Sequence, residues 1–200
     1  MKHASRLLGV VAAVALLGGS LAVGEEAEKT CLKCRTKMFV KAMRSGNADQ
    51  VRSYLAADYV FRDATSGTTL DRAGIEQILE WDLVVGSAVS YENLEWVGDT
   101  VTGEFTETSS FYELLELEPR RYRMSFRYRD DRIAEQVVEP LPQSGPSFDD
   151  ALQPFLDWAR TAHADELSEI YPDSEFVFTA AAARRWLSLL ETWRSETSRS

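Results

Sequence analysis

The chain has 200 residues, 44% of them hydrophobic, and sets 32 Asp+Glu against 22 Lys+Arg for a formal net charge of −10. That excess of carboxylates argues against nucleic acid or anionic lipid as a partner, because both repel an acidic surface. The length supplies one good core, or one core with a small appendage.

The first 22 residues are laid out as a secretory signal peptide. Lys2 and Arg6 make a basic start, Leu7 to Leu17 is apolar, and Gly18, Gly19, Ser20, Ala22 and Gly24 are small. Ser20 and Ala22 favour cleavage after Ala22, with Ala22 and Gly24 offering cleavage after Gly24. The competing reading is an uncleaved anchor, since Leu7 to Val23 is an uncharged run at the bottom of the spanning range. Cleavage after Ala22 removes two basic residues and no acidic ones, leaving 20 Lys+Arg against 32 Asp+Glu and a net charge of −12. The expected product is exported, periplasmic or secreted, with no stable membrane insertion.

Cys31 and Cys34 are the only cysteines, in the sequence CLKC within a helical pattern running from residue 25 to residue 45. Such a pair can bind metal, cycle its redox state or close a local disulfide. Metal is weakly supported, because the two histidines, His3 and His163, are remote from the pair. Haem attachment needs a histidine where Arg35 stands, and Leu32-Lys33 lacks the aromatic, Gly or Pro of a thioredoxin-type centre. A local disulfide in an oxidising compartment is the expectation, with no metal and no cofactor.

Ser45-Gly46-Asn47 breaks the first helix and Ala48 to Ala57 reads as a second. Asp58 to Asp63 alternates as a short strand, and Ala64 to Thr69 is a loop rich in Ser, Thr and Gly. Asp71 caps a third helix through Ile75, Ile78, Leu79 and Leu83. From Ser87 the period changes to two, giving strands at Val89–Val97, Val101–Leu117, Arg120–Arg129 and Arg132–Val138. Along the third of these, Tyr122, Met124, Phe126 and Tyr128 share one face and five positions from Arg121 to Arg129 share the other. The arginine row predicts cross-strand ion pairs with Glu135, Glu139 and either Glu104 or Glu107 on a solvated face.

Pro140 to Pro146 reads as a linker, and residues 148–200 look like a partial second copy of the helical half. Phe39 to Asp49 (FVKAMRSGNAD) is echoed 116 positions later by Phe155 to Asp165 (FLDWARTAHAD), with four of eleven paired positions identical. Glu175–Phe178 repeats the short strand, and Ala180–Trp193 repeats the third helix with Ile78-Leu79-Glu80 lined up on Leu189-Leu190-Glu191. His163 falls opposite Asn47, at an exposed break between helices.

Three helices with a short strand and loop after the second, then long antiparallel strands, make an α+β order. The segments SGNADQVRSYLAADYVFRD, TSGTTLDRAGIEQILEW and FRYRDDRIAEQVV resemble the NTF2-like superfamily, especially its SnoaL-like and ketosteroid-isomerase-like members. The resemblance covers residues 39–141, within a domain spanning 25–141, with 142–147 as linker and 148–200 as helical extension. It implies a cone in which three N-terminal helices pack on a curved antiparallel sheet, with a pocket at the open end lined by Phe39, Tyr59, Phe61, Trp81, Tyr122, Met124 and Phe126. Tyr91, Trp96 and Tyr112 are further aromatic candidates.

In isomerase-like members a carboxylate at the end of the short strand moves the proton, and Asp63 stands there; its plainer reading is a cap on the amides of Thr65, Ser66 or Gly67. The positions of the two oxyanion donors fall at Phe39 and near Met124, neither of which donates a hydrogen bond, so the balance leans away from an isomerase. Three functions follow. The first is binding of a small apolar ligand or a protein partner in the cone. The second is a SnoaL-like enzyme with Asp63 as general acid or base on a hydrophobic substrate. The third is a structural or assembly module, with the extension docking on the first unit, capping it, or making a homodimer through the helices or the sheet.

The intact mass of protein purified from its own cells tests the first of these expectations. A chain beginning at Val23 is expected, and one still beginning at Met1 means that the apolar segment stays as an anchor.

Overall fold

The computed structural model describes residues 31–198, so the expected signal peptide and residues 25–30 of the expected first helix lie outside the described part. Helix α1 spans Leu32–Ser45 and presents Thr36, Phe39, Val40 and Met43 along one stripe. Gly46 ends it in the left-handed conformation (φ 64°), which an L side chain resists. Asn47 then caps α2 (Ala48–Tyr54), its Oδ1 accepting the Gln50 amide at 2.9 Å. The chain turns directly into β1 (Leu55–Asp63), so the second helix stops three residues earlier than its pattern suggests and the strand starts earlier.

After the two-residue strand β2 (Thr69–Leu70), Asp71 caps α3 (Arg72–Val85) by accepting the Gly74 amide. Four long strands follow: β3 (Ala88–Val97), β4 (Thr100–Thr108), β5 (Arg120–Arg129) and β6 (Arg132–Pro140). The expected strand Val101–Leu117 is shorter than predicted. Ser109 accepts the Tyr112 amide and starts a one-turn helix, α4 (Ser110–Leu114), because a serine cap before Phe111, Leu114 and Leu115 favours a helical turn over extension.

The sheet has the order β2-β1-β6-β5-β4-β3. Its hairpins are antiparallel, but β1 lies parallel to β6, a departure from the all-antiparallel expectation. No hairpin joins those two strands, so no tight turn dictates their relative direction. Asp130 and Asp131, both at positive φ, make the β5–β6 turn. A bulge between Glu92 and Glu95 bends β3. The fold is α+β, with helices α1 to α3 packed against the inner face of the six-stranded sheet.

The outer face carries ion pairs the arginine row predicted, Arg121–Glu104 at 3.0 Å, Arg127–Glu135 at 2.9 Å and Arg123–Glu139 at 3.8 Å, and two that were not expected, Arg62–Glu135 at 2.8 Å and Arg129 on Asp58. Glu104 is the partner from β4; Glu107 is not, because it faces inward. The apolar row Tyr122, Met124, Phe126 and Tyr128 joins Phe39, Val51, Tyr59, Phe61, Ile75, Leu79 and Phe105 in a first core inside the cone.

The C-terminal third is helical: α5 (Phe148–Ala162), α6 (Ala164–Ile170), a single 3-10 turn at Pro172–Ser174, and α7 (Ala180–Thr197). The strand expected over Glu175–Phe178 does not form. That segment instead lays Phe176 and Phe178 on the Trp81 ring, at centroid distances of 6.1 and 5.4 Å. A second core results, built from Trp81 and Val85 of α3, Phe111, Tyr112 and Leu115 around α4, and Phe155, Ile170, Trp186 and Leu190 of the extension. The extension therefore docks on the first unit. The 142–147 segment is not free either: Gln143 takes a 2.9 Å hydrogen bond from Arg120, and Ser144 donates to Glu118.

Because α3 belongs to both cores, deleting the extension strips Trp81, Phe111 and Leu115 of cover. Removal of residues 147–200 should yield a chain that self-associates in light scattering; a monomeric, equally stable truncation would contradict the shared core. Trp186→Ala, at a fully buried site, should cost about 3–5 kcal/mol in urea unfolding.

Candidate functional site

Two carboxylates meet where the two cores adjoin. Asp82 lies in the last turn of α3, in the stripe that runs Ile75, Ile78, Leu79, and is 6% exposed. Glu107 follows Phe105 on the inner face of β4 and is 2% exposed. The C-terminal cap of α3 organises their surroundings. Gly86, at φ 65°, and then Ser87 both return their amides to the Asp82 carbonyl, and this turn aims the Ser87 hydroxyl at Glu107 Oε1, to which it donates a hydrogen bond. Tyr112, placed by the Ser109 cap, reaches Glu107 Oε2 at 3.5 Å, and its phenol is hydrogen-bonded to that of Tyr122.

Arg120 is the one cation of the group. It pairs directly across the sheet from Glu107, and its guanidinium lies 5.9 Å from the centroid of the Tyr112 ring and 6.0 Å from that of Phe148. Asp82 Oδ2 is buried and accepts no hydrogen bond from the described residues, and Trp81 Nε1 is buried without an acceptor.

Burial raises the Glu107 carboxyl to about 7, against the opposing pull of its Ser87 and Tyr112 hydrogen bonds and of Arg120. Burial also raises Asp82 well above the usual carboxylate range, and the neighbouring Glu107 charge adds to it. The two titrate as a unit and near neutrality can hold one proton between them. Burial likewise pushes the Tyr112 and Tyr122 phenols up, so both stay protonated and available as donors. The cluster can therefore donate and accept hydrogen bonds and exchange a proton at neutral pH.

Asp63 sits elsewhere on the inner face, on the row of β1 that includes Tyr59 and Phe61. Its Oδ1 accepts the amides of Thr65 at 2.7 Å and Ser66 at 2.9 Å, the loop-capping arrangement. Six of the expected pocket residues, Phe39, Tyr59, Phe61, Tyr122, Met124 and Phe126, converge in the first core. Trp81 does not join them. The turn of α3 carries it onto the adjoining stripe, which faces the second core. Tyr59 donates a 2.9 Å bond to buried Gln136, whereas Phe39 and Met124 contribute no hydroxyl.

Of the other aromatics, Tyr91 packs on Phe105 at 6.1 Å and Trp96 is exposed, donating to Gly98 O at 2.8 Å. His163 lies at the α5–α6 break, on Glu166 at 2.8 Å and over Trp158. Cys31 and Cys34 are joined in a disulfide. Among the described residues no cluster of three or more His, Cys, Asp or Glu is placed to hold a metal, and no helix is long and apolar enough to cross a membrane.

The sequence reading overlooked Asp82 and considered Glu107 only as an ion-pair partner on the solvated face. Each interrupts an apolar pattern, Asp82 a helical stripe and Glu107 an alternating strand face, and that interruption was the available signal.

No protein-family model matches the chain, and no curated protein matches it. Among solved structures it is similar to a protein of Kribbella flavida described as a ketosteroid isomerase, at 9% identity and a TM-score of 0.49 over 58% of this chain and 82% of that one. It is also similar to an NTF2-like protein of Cytophaga hutchinsonii (10% identity, TM-score 0.45, 58% and 96% covered) and to a polyketide cyclase of Streptomyces antibioticus (20%, 0.44, 55% and 91%). The fold stands on the sheet order and helix packing described above.

The acid pair should leave a mark on stability. Both carboxyls hold their protons more tightly folded than unfolded, so their contribution is full below the ordinary carboxylate pKa of about 4 and is lost as pH rises toward the folded value. The thermal midpoint should fall between pH 5 and pH 8, and the Asp82→Asn/Glu107→Gln double variant should reduce that fall, by on the order of 5 °C. Equal slopes in the two proteins would show that the pair is not desolvated.

Proposed function

We propose that this chain is an exported small-molecule-binding domain whose recognition group is the Asp82–Glu107 acid pair with Tyr112, Tyr122 and Arg120. The carrying observation is Asp82 Oδ2, a carboxylate oxygen buried beside a second carboxylate without a hydrogen-bond donor. Two carboxyl groups desolvated side by side weaken a fold, and such an arrangement is characteristic of functional sites. The inner face supplies an apolar wall through Phe105, Tyr122 and Met124. The ligand that fits is a largely apolar molecule with a hydroxyl or another donor for the carboxylates. Its way in passes Arg120, the half-exposed member, which the 142–147 segment and the start of α5 cover through Gln143 and Phe148.

A second reading, a general acid–base enzyme of SnoaL-like type, is favoured by the Glu107 carboxyl near 7. In that case Glu107 replaces Asp63 as the proton-transfer group, since Asp63 is engaged with loop amides.

Native mass spectrometry of protein purified from its own cells tests the binding reading. A small adduct should accompany the wild type and Asp63→Asn, and drop at least about tenfold in occupancy in Asp82→Asn and Glu107→Gln, as loss of a buried charged hydrogen bond implies. Equal occupancy in all four proteins, or no adduct in any, would overturn it. Conversion of the released compound by wild type with an inflection near pH 7, abolished in Glu107→Gln, would select the enzymatic reading.

A further inference from the structure

The CLKC pair lies at the start of α1. Cys31 is the N-cap residue, in extended conformation, and Cys34 is the third residue of the helix. Cys31 Sγ accepts the Cys34 amide at 3.2 Å, and the Cys31 carbonyl accepts the first helical bond, from Arg35, at 2.9 Å. Both cysteines are exposed, yet the turn beneath them is anchored: Leu32 and Thr36 are buried, and Thr36 is hydrogen-bonded to Tyr128 at 2.7 Å. The first turn contains no acidic residue, and Lys33 and Arg35 adjoin the cysteines in the sequence. Asp131 of the β5–β6 turn lies 3.8 Å from the Arg35 guanidinium, and Lys37, one turn on, sits over the Tyr91 ring.

We propose that Cys31–Cys34 is a redox-active dithiol–disulfide centre that exchanges with thiols and disulfides reaching the protein surface, with Cys31 as the attacking sulfur. This is independent of the acid pair. An amide at a helix N-terminus and adjacent cations stabilise a thiolate on Cys31, which lowers its pKa and favours the reduced form. The disulfide is then an oxidant toward incoming thiols.

In the reducing direction the Cys31 thiolate attacks one sulfur of a substrate disulfide, forming a Cys31–substrate disulfide and expelling the other sulfur as a thiolate that takes a proton from water. Cys34, having lost its proton to water, attacks Cys31 Sγ. This closes the Cys31–Cys34 disulfide and releases the second substrate thiolate, so two electrons pass to the substrate. Oxidation of a dithiol by the closed pair is the reverse.

The test uses the intact protein reduced with dithiothreitol. Iodoacetamide labelling across a pH series, read by mass spectrometry, should modify Cys31 first, with an inflection below the ordinary thiol value of about 8.5. Cys34→Ala should trap a Cys31–glutathione mixed disulfide from oxidised glutathione about tenfold faster than free cysteine does at neutral pH, and Cys31→Ala should not. Exchange with glutathione alone assigns a small-thiol partner, and acceleration of insulin reduction by dithiothreitol assigns a protein one. The proposal is overturned if Cys31 titrates at or above the ordinary value, if neither probe exchanges, or if reduction of the wild type unfolds the chain, which would make the bond a structural staple.

Discussion

The structure turns on helix α3 being buried along two adjoining stripes. Ile75, Ile78 and Leu79 close the cone against the sheet, while Trp81 and Val85 form the floor of the second core. A surface helix commonly commits one stripe to a core and leaves the rest to water. Here the second stripe needs cover, and the extension supplies it through rings stacked around Trp186, with Phe176 at 4.8 Å and Phe111 at 5.6 Å. The one-turn helix α4 matters for the same reason, since it carries Phe111 and Tyr112 out of the strand register to where both cores can use them.

That shared helix also explains the acid pair. Asp82 is held at the seam because it follows Leu79 on the stripe that faces the sheet, and Glu107 meets it because β4 ends beside the C-terminal cap of α3. Desolvation at the seam raises both carboxyls, while Ser87, Tyr112 and Arg120 offset only part of the cost for Glu107. A buried polar network that is only partly satisfied costs stability, because its unpaired groups have left water without gaining a partner.

Much of the fold was legible in residue patterns. The helix stops at Gly46 and Gly86, the cap at Asp71, the hairpin at Asp130-Asp131 and the sidedness of β5 all follow from local rules. The candidate site was much less so. Asp63 was found because its place in the chain resembles a known position, but its carboxylate serves two loop amides. Asp82 and Glu107 are 25 positions apart on different kinds of element, and nothing local to either indicates that they face each other. Trp81 was assigned to the wrong side of α3 because a helical pattern shows that a residue is apolar without showing which neighbour covers it.

Sequence alone determined the α+β order, the solvated arginine face, the acidic surface and the closeness of Cys31 to Cys34, because each depends on spacing within one or two turns of chain or on composition. The direction of β1 against β6, the fate of Glu175–Phe178, the docking of the extension and the meeting of Asp82 with Glu107 were settled by tertiary packing. In each of these the decisive partner lies far away in sequence, and only the demand to cover apolar surface brings the two together.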